Sequence, residues 1–379
     1  MLLSVKFRYL LGFSSFGFML TSAPLTLMHV VFSSRVAGGE RHCIDLANAQ
    51  AALGHQVHVV GKAGSAVAHE LALGVRFHGL AGPLLRGWRV ARLARRLGAT
   101  VCHGHLGPAC RAVAQVDQAA RIGTLHVGFK AHQHAALDGL VCVNRAQHEG
   151  LPARDGLATV IHNWAPERQA RPTPGTDLRA ELGLGANQLL VGCIGRLHPT
   201  KGMDLLVRAF LQRAPEDAVL LLVGEGPEAA RLQRLAGGDA RVRLLGFRHD
   251  MDRVLAGLDL VVSASHEEAF PLVLLEAMRA GRAVLSTATQ GPREMLAGQP
   301  GRLVPVGDIA ALGTALAEEL ARLRALPPGA RGASYQTSAY DRGHAVARTL
   351  AFYRDVLLHR ARRPQLALDE DEVLAGWQA

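Results

Sequence analysis

Short apolar runs alternate with longer helical stretches along most of the chain. In the first half the runs are HVVFSS (29–34), QVHVVG (56–61), VRFHGL (75–80), TVCHGH (100–105), RIGTLHV (121–127) and LDGLVCVN (137–144). Between the first two lies GGERHCIDLANAQAALG (38–54), whose Ile44, Leu46, Ala47 and Leu53 suit one side of a helix. After ARPTPGTD (170–177), with two Pro and a Gly in eight residues, the alternation restarts: LLVGCIG (189–195), AVLLLVG (218–224), VRLLGF (242–247), LDLVVSAS (258–265) and AVLST (283–287). Strands separated by helices predict a parallel sheet covered on both faces. The fold class is therefore α/β, as two successive units joined by a hinge. The expected division is an N-terminal unit over 28–170, a C-terminal unit over 171–360, and a tail over 361–379.

The first 27 residues do not fit that alternation. Lys6 and Arg8 precede the apolar run Tyr9–Leu20, in the manner of a secretory signal, but Thr21-Ser22-Ala23 before Pro24 is a poor cleavage site. The run is also shorter than the ~20 apolar residues a membrane span needs. Three readings stand: upstream sequence before a start at Met28, which is preferred, a membrane-associated segment, or a true secretory signal.

Composition narrows the class. The chain has 379 residues, 49% hydrophobic and 20% charged, which excludes a disordered or fibrous protein and supplies two cores. Five scattered cysteines form no C-x-x-C pair, so reduced, buried thiols in a cytoplasmic protein are expected. Lys plus Arg exceed Asp plus Glu by 42 to 32, a net charge of +10 that favours anionic partners.

Three groups of residues could do chemistry. In GRLHPTKG (195–202), a Gly-bracketed turn carries Arg196 and Lys201 after a strand and before a helix. It reads as a diphosphate cradle or as an exposed basic turn; Walker A spacing is absent. In HEEAFPLVLLE (266–276), Pro271 suits a helix start and Gly281 its end. Glu268 then lies in the loop and Glu276 in the helix, where a carboxylate can accept from sugar hydroxyls. Finally, Gly38-Gly39 precedes a helix and permits close backbone approach to phosphate, while His105 and His126 end two strands. No His, Asp or Glu cluster shows metal-ligand spacing. GEGPE (224–228) lacks the third Gly of a dinucleotide fingerprint.

Together these residues resemble the family-four retaining glycosyltransferases of GT-B type, from Met28 to about Leu358. The markers are GGERH, ALGHQVHVV, TVCHGH, GTLHVGF, LDGLVCVN and VIHNW, then GRLHPTKG, VGEGPE, LGF, EEAFPLVLLEAM, QGPREML and GRLVPVGD. The resemblance implies two Rossmann-like domains whose parallel sheets face a central cleft, with a UDP- or GDP-sugar bound mainly by the second. It implies that Arg196 and Lys201 hold the donor diphosphate, that Glu276 binds the ribose hydroxyls, and that Glu268 contacts the donor sugar. The backbone at Phe270, Pro271 and Leu272 would add N–H groups, though Pro271 has none, and Gly39 would approach the diphosphate. His105 would stand near the reacting sugar carbon, and His126 on the acceptor side or elsewhere in the cleft. Metal-independent transfer with retention is implied, with no cofactor. Ala269 and His162 depart from the family's frequent small residue or Gly and Pro, which bears on donor identity. A phosphorylase or sugar-nucleotide epimerase of the same fold is the alternative.

LLRGWRVARLARRLGA (84–99) is the clearest basic run: on a helix, Arg89, Arg92 and Arg96 share a face opposite Val90, Leu93 and Leu97. It reads as a solvated face or as a contact with anionic lipid, which would bring the first domain to a glycan or lipid-linked acceptor at the inner face of the cytoplasmic membrane. Nucleic acid is not expected as a partner, since aromatics are only 5% and no recognition motif occurs.

Overall fold

The computed structural model describes residues 23–165 and 177–362. Most of the 170–177 segment, the stretch 1–22 and the tail beyond 362 lie outside the described residues. The seven strands of the first sheet are β1 (Thr26–Val30), β2 (Gln56–Lys62), β3 (Val75–Leu80), β4 (Val101–His105), β5 (Ala120–Leu125), β6 (Gly139–Cys142) and β7 (Leu157–Val160). The second sheet has β8 (Leu189–Ile194), β9 (Ala218–Val223), β10 (Val242–Gly246), β11 (Leu260–Ser263), β12 (Ala283–Thr287) and β13 (Arg302–Val304). Every pairing is parallel.

The strand orders are β3-β2-β1-β4-β5-β6-β7 and β10-β9-β8-β11-β12-β13. In each sheet the chain winds outward one way and then returns to the other side of the starting strand. The crevice at such a reversal, outside the carboxyl ends of the strands, is where open α/β sheets bind ligands. One crevice lies beyond β1 and β4, the other beyond β8 and β11.

Both sheets are covered on both faces, so alternate residues of one strand enter different cores. Leu220 and Leu222 of β9 join one cluster, while Val219, Leu221 and Val223 join the opposite one. The five cysteines are all free and buried, as expected.

Three features depart from the sequence expectation. First, β1 starts before Met28: Leu27 is buried and pairs with Val57 and Val101. Second, the short edge strands β7 and β13 have no extended apolar run to announce them. Third, the helix Arg342–Arg362, which the expected division places with the second unit, packs on the first sheet. Its Val346, Leu350, Phe352 and Val356 join the core with Val101 and Ile122. Gly139 admits it: an added Cβ would meet Ile122 Cδ1 and Val356 Cγ2 at 2.8 Å. Arg360 then bonds Asp138 at 3.0 Å.

Candidate active site

At the second-domain crevice, the loop after β8 turns through Gly195 (φ 152°), and a short 3-10 turn, Pro199–Lys201, ends at Gly202 (φ 57°). This loop lies against the one after β9. Leu197 N donates to Glu225 O at 2.9 Å, and Glu228 N to Leu197 O at 3.1 Å. Gly224 (φ 140°) and Gly226 are required there, because Cβ atoms would collide with the carbonyls of Gly195 and Leu197. The GEGPE segment is thus a backbone support for the basic turn. Arg196 is exposed on that turn and Lys201 is partly buried.

Lys201 Nζ donates to Glu268 Oε1, and Ser265 Oγ donates to the same oxygen at 3.0 Å. The β8 loop and the β11 loop are thereby joined by two of the residues singled out from sequence. Beyond Glu268, the first domain grips the loop: Asn144 Nδ2 donates to Ala269 O at 2.7 Å, and Asn163 Nδ2 to Phe270 O at 2.8 Å. His162 stacks on Phe270, with ring centroids 5.0 Å apart, and its Nε2 lies 2.7 Å from Glu294 Oε1. His162, a departure from the family pattern, is therefore part of the domain contact.

Pro271 precedes the helix Leu272–Arg279, as its fixed φ favours, and Gly281 follows it at φ 66°. Glu276 sits on this helix with its carboxyl pushed up to about 7, chiefly by burial and further by Asp252 and Asp45, against the opposing pull of Arg41. Arg41 and Asp45 belong to the first-domain helix Gly38–Ala52, so Glu276 feels charges from across the cleft. A carboxylate that is costly to ionise gains more from hydroxyl donors.

Gly38 and Gly39 form the first turn of their helix rather than a preceding loop. A Cβ on Gly39 would lie 3.0 Å from Leu106 Cδ2 and 3.5 Å from His126 Cγ; one on Gly38 would lie 3.8 Å from Leu272 Cδ1. Leu106 itself has φ 70° and ψ 154°, a region other residues leave to glycine, at a cost of about 1–3 kcal/mol. This strained turn directly follows His105.

His105 is fully buried. With the Gln50 amide oxygen toward His29, the ring tautomers follow in sequence. His29 Nε2 donates to Gln50 Oε1 (2.7 Å), His105 Nε2 to His29 Nδ1 (3.1 Å), and His126 Nε2 to His105 Nδ1 (3.3 Å). Burial lowers the pKa of all three, to about 4 for His29 and His126 and well below the usual value for His105, so the chain is neutral. Both ring nitrogens of His105 are engaged, whereas His126 is partly exposed. The cleft-facing position falls to His126, and His105 stands behind it. His42 and His103 complete a group of five rings that sequence spacing does not reveal, because they come from β1, one helix, β4 and the end of β5.

A cavity of about 490 Å³ adjoins the basic turn, lined by Leu197, Glu225, Pro227 and Leu244, with Arg35 reaching in from the first domain. Arg35, Arg41, Asn144 and Asn163 were not legible as site residues; only the domain packing brings them there.

This geometry defines a two-domain α/β protein with a basic turn and two glutamates at one crevice. Residues 188–322 match the family model "Glycosyl transferases group 1", so the second domain is a group 1 glycosyltransferase domain. The described chain has the GT-B fold: it aligns with Anabaena HepE, solved in complex with UDP and glucose, at a TM-score of 0.72 and 21% identity, covering 87% of this chain and 100% of that one. Among curated proteins it is 34% identical over 166 residues to N-acetyl-alpha-D-glucosaminyl L-malate synthase of Bacillus anthracis, covering 42% of this chain and 43% of that protein. It is 32% identical over 170 residues to the lipopolysaccharide core biosynthesis glycosyltransferase LpsE of Rhizobium meliloti, covering 44% and 46%. The chain spans about half the length of the curated relatives it matches.

Proposed function

We propose that this protein is a retaining glycosyltransferase that moves a sugar from a uridine-diphosphate donor to a hydroxyl of a cell-envelope glycan, such as a lipopolysaccharide core. The observation that carries the reading is the Lys201–Glu268 pair at the β8/β11 crevice, on the loop that leads to Glu276. Arriving diphosphate takes Lys201, with Arg196 beside it, and frees Glu268 to accept from the donor sugar. Glu276 accepts from the ribose diol, and Gly39 and the backbone at Phe270 and Leu272 close around the phosphates. The cavity lined by Arg35 and Leu197 takes the base. As the glycosidic bond breaks, the developing charge on the diphosphate falls on fixed cations, where preorganised stabilisation is strongest. The acceptor hydroxyl attacks from the face the diphosphate leaves, beside His126, and no metal enters the transfer. HepE's UDP and LpsE's role in core biosynthesis support the choice of donor and acceptor.

The first domain, at the cytoplasmic face of the membrane, presents the acceptor. No helix among the described residues is long and apolar enough to cross a membrane. The helix Arg86–Leu97 instead buries Val90, Leu93 and Ala94 and exposes Arg92, Arg95 and Arg96. Arg89, expected on that face, is half-buried and bonds the Ala81 carbonyl. Trp88, Leu84 and Leu85 protrude beside the arginines at 54%, 81% and 73% exposure. Apolar groups and cations on one edge suit an anionic lipid surface.

Acceptor-dependent release of nucleoside diphosphate from UDP- and GDP-sugars tests the function, with product anomers read by NMR. Phosphorolysis, epimerisation or an inverted product would overturn it. Flotation with vesicles of anionic lipid tests the membrane contact, which salt and Arg92→Ala with Arg96→Ala must weaken.

A further inference from the structure

We propose that His42, His105 and His126 form a binding site for one divalent transition-metal ion of the imidazole-preferring kind, with Zn²⁺ as the reference ion, in the first-domain wall of the cleft. The three rings offer nitrogens that all lie within 4.8 Å of one another. His105 Nδ1 and His126 Nε2 are 3.3 Å apart, close to the separation of two ligands on a tetrahedral ion with bonds of about 2.0–2.1 Å. His42 packs on both, its ring centroid 4.9 Å from that of His126 and 5.7 Å from that of His105.

Two further observations bear on the site. His42 Nδ1 and Asn163 Oδ1 are both buried without a hydrogen bond of good geometry. A buried polar deficit of this kind is costly and marks a place where a ligand would add bonds. Behind the site, His29 accepts from His105 Nε2 and is itself fixed by Gln50. That holds the His105 Nδ1 lone pair toward the other two rings, as an outer-shell partner holds a metal-bound histidine. His126 moves its N–H from Nε2 to Nδ1, and its partial exposure supplies the way in.

The neighbouring triad of His29, His103 and His105 differs. His103 is already held by Tyr353 Oη at 2.6 Å and Thr124 Oγ1 at 2.8 Å, and all three rings are shut off from solvent. It is a hydrogen-bonded core. The metal proposal does not rest on glycosyl transfer, but the two meet at His126: an ion there would occupy the cleft-facing ring, so Zn²⁺ should inhibit transfer and a chelator restore it.

The test uses the full chain, stripped of metal by chelator dialysis. Zn²⁺ is titrated at pH 7.5 against a chromophoric chelator, and Co²⁺ binding is followed by visible absorption. One ion per chain is expected, with the intense Co²⁺ bands of a tetrahedral site. His42→Gln and His126→Gln should each weaken Zn²⁺ at least tenfold, and His58→Gln, in a separate histidine pair with His78, should not. Absence of one-to-one binding, or unchanged affinity in folded His126→Gln, overturns the proposal. His126 is only half-buried, so that variant decides the matter even where His42→Gln folds poorly. Loss of glycosyl transfer with metal binding intact would fault only the proposed function.

Discussion

Replacing Glu276 by Gln should stabilise the protein at alkaline pH and impair donor binding at the same time. The carboxyl's folded-state pKa is raised from 4.5 to about 7, with burial as the largest cause. Between those values the folded protein holds a proton that the unfolded chain has released. Stability therefore falls as pH rises through this window and stays lowered above it. At 1.36 kcal/mol per pH unit the displacement amounts to about 3 kcal/mol when complete, an upper figure because the side chain is only partly shielded from water. Glutamine cannot ionise, so Glu276→Gln should gain about 1–3 kcal/mol over wild type on going from pH 5 to pH 8.5. Urea unfolding of both proteins at the two pH values reads this as a shift in midpoint difference. The same variant should raise the donor KM, most at pH 8, where wild-type Glu276 is ionised and accepts from the ribose diol. An unchanged midpoint difference across the two pH values would refute the electrostatic reasoning, whatever the activity.

Other variants probe the rest of the crevice. Lys201→Ala should cut transfer by about 10²-fold or more, through loss of a fixed cation at the leaving diphosphate; near-normal kcat/KM would remove Lys201 from that role. Asn163→Ala strips the donor from the buried Phe270 carbonyl and should cost about 1–3 kcal/mol, seen as a lowered melting temperature, with donor KM raised as the loop loosens. Gly224→Ala places a Cβ against the Gly195 carbonyl at a φ of 140° and should destabilise by at least about 2 kcal/mol, measured by denaturation midpoint.

The repeating units were legible because parallel strands buried on both faces are nearly continuous apolar runs: β9 is AVLLLV and every residue is buried. The edges were not. β13 is three residues long with Leu303 exposed, too short and too open for its pattern to stand out. The return of the last helix to the first sheet also leaves no local mark, since amphipathicity says that a helix packs but not on which domain. At the site, Lys201, Glu268 and Glu276 could be found because one short loop or one loop-to-helix junction carries each pair of neighbours. The histidines were read as two strand ends. That five of them meet depends on β1 lying beside β4, a fact of topology and not of spacing.

The domain contact gives the Glu268–Pro271 loop two owners. Its residues belong to the second domain, but its Ala269 and Phe270 carbonyls are held by Asn144 and Asn163 of the first. Arg145 N and His162 bond the Glu294 carboxylate alongside, so the loop cannot keep all these partners if the domains part. Glu268 leads this loop and also neutralises Lys201, which ties the availability of the Lys201 cation to where the first domain stands. An anion that draws Lys201 away from Glu268 must then be felt by the loop and, through its carbonyls, by the domain that carries His126. Coupling of this kind needs no separate lid: the first domain itself clamps the Glu268–Pro271 loop.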